Sequence, residues 1–247
     1  MLRYERKYLV PNHVLGELRS RVKGFTREDL FATANGNGLP QYTVRSIYFD
    51  SPDLVCYHEK HAGLMERQKL RVRGYNHEET GQYVVLEIKR KTGNRVHKYR
   101  SVVARENLEN ILLTGDLELY LESSEHTNRK ISLDNARRFF FHYKRKPYLP
   151  TTLVTYEREA YHGKLNPGIR ITFDKNIRSR NYPRTHELYS NQDLRYLFKG
   201  HFIMEVKYFG DIMPAWVKSI VQDYKLRTEA LSKYVLGYDI NTTFAHY

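Results

Sequence analysis

The chain has 247 residues, 40% hydrophobic and 28% charged, with a formal net charge of +13 and one cysteine, Cys56. This balance excludes a disordered chain, the single cysteine excludes an intramolecular disulfide, and no apolar run is long enough for a transmembrane helix. The excess of cations directs the search toward polyanions: nucleic acid, phosphate esters, polyphosphate or an anionic membrane surface. The start, "MLRYERKYLV", lacks the apolar region of a signal peptide, which suggests a cytoplasmic location.

In chain order, a strand is predicted from Tyr4 to Val10. Helical spacing of Val14, Leu15, Leu18 and Val22 follows it after Pro11. The turn-rich "TANGNGLPQ" leads into a strand, "YTVRSIYFD", which Ser51-Pro52 ends. "KLRVRGY" and "QYVVLEIKRK" are separated by the polar loop "NHEETG" and suggest an antiparallel hairpin, with "VHKYRSVV" as the third strand of a meander. The middle reads as helical in "ENLENILL" and "DNARRFFFHYK". Strands resume in "TTLVTYEREAY", "IRITFD" and "FIMEVKYF", and an apolar stripe from Ile212 to Tyr224 predicts a helix after Pro214. No linker or repeat divides the chain, so residues 1–247 are read as one domain of about eight strands.

Side chains two apart on a strand share a face. The pattern then places Lys69, Arg71 and Arg73 together, and likewise Glu87 with Lys89, Tyr156 with Arg158, and Arg170 with Thr172 and Asp174. Glu-x-Lys occurs in three strands, as Glu5/Lys7, Glu87/Lys89 and Glu205/Lys207. A half-exposed antiparallel sheet alternates polar and apolar residues in any case, and one such strand signifies only a wet face. Arginine and Glu-x-Lys repeated over six strands favour an enclosed polar wall, with Leu86 and Ile88 facing outward against helices. Arginine forks grip phosphate oxygens, lysines add point charge, and carboxylates among cations suit a divalent metal shared with phosphate.

Read in order, "YERK", "RVR", "LEIKRK", "YERE", "RITFD" and "MEVK" resemble the triphosphate tunnel metalloenzymes. "YFD" and Tyr156-x-Arg158-x-Ala160 place the resemblance nearest the polyphosphate polymerase domain of the vacuolar transporter chaperone (VTC) type, over about Tyr4 to Gly237. The resemblance implies an α+β, mainly β fold: an eight-stranded antiparallel β-barrel with flanking helices and a basic lumen. It implies transfer of the γ-phosphate of ATP onto polyphosphate or pyrophosphate, with Mn²⁺ or Mg²⁺ as cofactor and nucleic acid not a partner. By motif, Arg71, Arg73, Lys89, Arg158 and Arg170 correspond to the catalytic phosphate grip. Lys7, Tyr156, Lys207 and Lys233 correspond to further substrate contacts, and Glu205, Glu87 and Glu5 to metal ligands. The chain carries neither an SPX domain nor a membrane span, so a stand-alone catalytic module is expected. A triphosphate hydrolase on the same fold and a non-catalytic polyanion binder are the competing readings.

Three other features are read as structural. His58 and His61 are assigned to a surface loop rather than a metal site, Cys56 to the core, and the Gly36/Gly38 run is no phosphate loop because it lacks the following Lys-Ser/Thr.

Overall fold

The structure is a computed structural model that describes residues 3–30, 32, 34–35, 39–76, 81–93, 95–121 and 129–242. Gly36, Gly38 and most of the "NHEETG" loop lie outside the described residues. The strands are β1 (Arg3–Pro11), β2 (Thr26–Glu28), β3 (Ala34–Asn35), β4 (Leu39–Asp50), β5 (Glu66–Tyr75), β6 (Tyr83–Thr92), β7 (Arg95–Ala104), β8 (Leu149–Gly163), β9 (Arg170–Asn181), β10 (Arg195–Tyr196) and β11 (His201–Phe209). The helices are α1 (Leu15–Phe25), α2 (Val55–His61), α3 (Leu108–Thr114), α4 (Leu117–Tyr120), α5 (Arg129–Arg145), α6 (Ala215–Asp223) and α7 (Lys233–Thr242).

Eight strands run in the order β1-β11-β9-β8-β4-β5-β6-β7, with β2, β3 and β10 as short additions. The mainly-β, antiparallel expectation is met, but closure is not. The order begins at β1 and ends at β7, and no ladder joins these two among the described residues. On β7, His97, Lys98 and Arg100 are exposed, the charged character that keeps an edge strand from pairing further.

The chain divides into two compact units. The first comprises Met1–Thr43, Tyr156–Ile177 and Tyr196–Ser232, the second Val44–Thr155, Arg178–Arg195 and Lys233–Tyr247, so β4, β8 and β9 contribute residues to both. In the first unit, β1 pairs with β11 and β11 with β9. One face of these strands supplies Tyr8, Val10, Ile171, Phe173, Met204 and Val206, all at most 1% exposed, to a core shared with Leu18 and Val22 of α1 and Val217 and Ile220 of α6. The predicted 3.6-residue stripe of α1 is thus the stripe that is buried.

In the second unit, β4, β5, β6 and β7 form a meander. Val84, Leu86 and Ile88 of β6 are at most 1% exposed, and α5 packs against β6 and β7. That is the outward apolar face the alternation predicts. Two helices differ from expectation. His58 and His61 lie on α2, not in a loop, and α7 follows α6 after residues 224–232 as a second C-terminal helix. No helix among the described residues is long and apolar enough to cross a membrane.

Candidate functional site

Both units carry polar side chains on the strand face opposite their core. In the first, the β1–β11 ladder sets Lys7 opposite Glu205 and Glu5 opposite Lys207, so two Glu-x-Lys pairs meet crosswise. Lys7 Nζ lies 3.5 Å from Glu5 and 3.7 Å from Glu205, and it donates to the Leu231 carbonyl at 2.8 Å. Lys207 Nζ donates to Glu205 Oε2 at 2.7 Å, and Arg158 Nη2 is 3.6 Å from the same oxygen. Glu205, 5% exposed, is thus surrounded by three cations.

Arg158 makes a two-point contact with Asp174 through Nε (2.6 Å) and Nη2 (2.7 Å), and its guanidinium sits over the Tyr156 ring at 5.1 Å. Burial disfavours its charge, but Asp174, Tyr156 and Glu205 outweigh burial and keep it firmly protonated. Lys207 is nearly buried, and desolvation lowers its pKa despite Glu205 and Glu5, with Arg158 adding repulsion. Arg170, expected with the phosphate grip, donates to Asp29 Oδ2 (2.9 Å) and the Tyr42 hydroxyl (3.1 Å).

In the second unit, cross-strand register assembles rows of charge. Lys69, Lys89 and Lys98 align across β5, β6 and β7, and so do Arg71, Glu87 and Arg100. Glu87, 1% exposed, accepts from Arg71 and, at 2.7 Å, from Arg100 Nε. Burial would raise the Glu87 pKa, but Arg71, Arg73 and Arg100 prevail and hold it well below the usual carboxylate range. Arg71 Nη1 also donates to the Tyr48 hydroxyl (3.0 Å), and Arg73 Nε donates to Ser46 Oγ (3.1 Å). Lys233 opens α7 and is 7% exposed. Burial raises the Tyr48 pKa, but Arg71, Arg73 and Lys233 bring it below its ordinary value.

The sequence-predicted residues therefore fall into two clusters: Glu5, Lys7, Tyr156, Arg158, Glu205 and Lys207, with Arg170 beside Lys207 in register, and Arg71, Arg73, Glu87, Lys89 and Lys233. Sequence reasoning missed Asp174 as the partner of Arg158 and Arg100 as the partner of Glu87. The second pairing follows from the β6–β7 register and the first joins the neighbouring strands β8 and β9, and alternation along one strand specifies neither. Among the described residues there is no group of three or more His, Cys, Asp or Glu side chains that could hold a metal ion by themselves. Magnesium-type sites commonly use one or two carboxylates plus substrate phosphates. The pair Glu5 and Glu205 fits that pattern. Opposite Glu205 in register, the fully buried Thr172 has an Oγ1 with no hydrogen-bond partner among the described residues.

The family whose model matches is the VTC domain, over residues 2–241. Three solved structures are similar to the chain. The PH1819 protein from Pyrococcus horikoshii OT3 has 12% identity, covering 96% of this chain and 100% of its own, with a TM-score of 0.46. The Hippeastrum protein HpAC1, described as having a dominant triphosphatase activity, has 14% identity, with 98% and 97% covered and a TM-score of 0.49. The mimivirus capping enzyme triphosphatase has 9% identity, with 90% and 88% covered and a TM-score of 0.31. No curated protein matches.

Proposed function

The chain belongs to the VTC domain family, and from that membership and the two charge clusters we propose that it is a polyphosphate polymerase. The terminal phosphate oxygen of a polyphosphate chain attacks the γ-phosphorus of ATP, the bond from that phosphorus to the β–γ bridging oxygen breaks, ADP leaves, and the chain grows by one phosphate. Such transfer is achieved mainly by positioning and charge stabilisation. Arg71, Arg73 and the Lys69–Lys89–Lys98 row supply cations in the second unit. Lys7, Lys207, Arg158 and Arg170 supply them in the first. Arg71 and Arg158 are already held by carboxylates, so their guanidinium planes are fixed before substrate arrives. Glu205, with Glu5, would hold Mg²⁺ or Mn²⁺. When bound, the ion would neutralise charge on the phosphate oxygens.

The observation that carries the choice of polymerase over hydrolase is the state of Glu87. A hydrolase must activate water, and its base works best with a pKa near the working pH. Glu87 is buried between Arg71 and Arg100 and held far below that, which makes it a poor base. A polymerase has no such need, because its nucleophile is a phosphate that is already anionic. Incubation with ATP and Mn²⁺, with the products run on a polyphosphate gel, tests this. A ladder is expected from the unsubstituted protein and from Glu87→Gln at reduced yield, but not from Glu205→Gln. Orthophosphate alone would favour a triphosphate hydrolase, and neither product would leave a binding module.

A further inference from the structure

Asp50 belongs to neither charge cluster and faces no proposed substrate group, yet its carboxylate is fully buried and accepts four hydrogen bonds. Oδ1 takes the backbone N–H groups of Ser51 (2.8 Å) and Cys56 (2.9 Å), and Oδ2 takes that of Tyr57 (2.9 Å) and the hydroxyl of Tyr234. Two of these donors belong to the first turn of α2, whose N-cap residue Leu54 offers no side-chain acceptor and sits at φ 51°. Asp50 thus caps α2 from four residues before that N-cap. The fourth donor comes from the first turn of α7. One carboxylate fastens the starts of two helices.

Capping explains the Cys56 and Tyr57 bonds, and the Ser51 bond is local to the turn that precedes α2. The fourth leads to the phosphate-binding cations. With its hydroxyl tethered, the Tyr234 ring stacks on Tyr48 at 5.2 Å and 26° and lies under the Lys69 ammonium at 5.4 Å. The Tyr48 hydroxyl in turn accepts from Arg71. Lys233 immediately precedes Tyr234. We propose that Asp50 is a positioning residue for phosphate binding: through Tyr234 it fixes the Tyr48 ring and the start of α7, and thereby Arg71, Lys69 and Lys233. A bond to an ionised acceptor is about twice as strong as a neutral one, which suits a tether that must hold an aromatic ring in one place. Burial and Asp50 itself raise the Tyr234 pKa, so the phenol remains a donor across the working range. The proposal rests on the phosphate-site reading given above.

Tyr234→Phe removes the hydroxyl and leaves the ring stack and the three backbone bonds to Asp50, two of which cap α2. Calorimetric titration with tripolyphosphate, well below the melting temperature, should show a Kd about five- to twentyfold weaker at unchanged stoichiometry, from the loss of one charge-assisted bond. Asp50→Asn keeps one acceptor oxygen, enough for the Ser51 and Cys56 N–H groups, loses the acceptor that Tyr57 and Tyr234 share, and should weaken binding in the same sense. Tyr57→Phe removes a different tether of α7, the 2.6 Å bond from Tyr57 to Asp239, and should leave Kd within about twofold. An unchanged Kd in either folded Asp50 or Tyr234 variant, even with a lowered melting temperature, would reduce Asp50 to a cap and overturn the proposal. Equal weakening by Tyr57→Phe would overturn it too, by assigning the effect to any loosening of α7. If the unsubstituted protein bound no tripolyphosphate, the phosphate-site reading would fail first and take this proposal with it.

Discussion

Glu159 is fully buried on β8 and accepts from Arg19 Nε and Nη2 (both 2.8 Å) and from the Tyr161 hydroxyl (2.7 Å), with Lys175 Nζ at 2.6 Å. Burial alone would raise its pKa from 4.5, but Arg19, Lys175 and Tyr161 bring it down to about 2. A folded-state pKa below the unfolded one gives stability that is complete above about pH 4.5 and is lost as the pH falls toward about 2. Glu159→Gln should therefore flatten the loss of stability across that interval. It should also cost about 2–4 kcal/mol at pH 7, because Arg19 and Lys175 lose their partner. Urea titrations at stepped pH, followed by circular dichroism, measure both; an unchanged pH profile would contradict the assignment. Glu159 was not legible as a structural carboxylate, because Arg19 reaches it from α1 and nothing in the β8 pattern announces that partner. Glu5, Lys7, Glu205 and Lys207 were legible, since alternation places each on the polar face of its strand.

The long strands and α1 follow from periodicity, whereas α2 does not. Its seven residues, "VCYHEKH", are too few to establish a helical stripe, and its first turn is capped by Asp50 across Pro52 rather than by a local N-cap residue. The docking of α7 likewise depends on a detail invisible in hydropathy, the absence of a side chain at Gly237. A Cβ there would lie 3.1 Å from Ser179 Cβ and 3.3 Å from Thr152 Cγ2. The close approach lets Ser179 Oγ donate to the Gly237 carbonyl at 2.9 Å and Asn181 Nδ2 to that of Tyr238 at 3.0 Å. Gly237→Val should overpack this contact and cost about 1–3 kcal/mol, read as a lower urea midpoint. Tripolyphosphate binding should weaken as well, since α7 carries Lys233 and Tyr234. Unchanged stability after the Gly237→Val substitution would show that the helix has room to move away.

For the whole molecule, the order of short motifs identified the family and the mainly-β architecture, because each motif lies on a strand and alternates charged with apolar or aromatic residues. Closure of the sheet could not be read the same way. It depends on whether two end strands find each other, and the exposed cations of β7 argue against further pairing at that edge. Net charge of +13 agrees with a polyanionic substrate but does not choose among polymerase, hydrolase and binder. The choice rests on the fate of the γ-phosphate, and it can be counted. With ATP and Mn²⁺, the phosphate recovered in polymer should equal the ADP formed, with little free orthophosphate, and both should vanish in a protein carrying Arg71→Ala and Arg73→Ala. Orthophosphate equal to ADP with no polymer would contradict polyphosphate synthesis and establish hydrolysis instead.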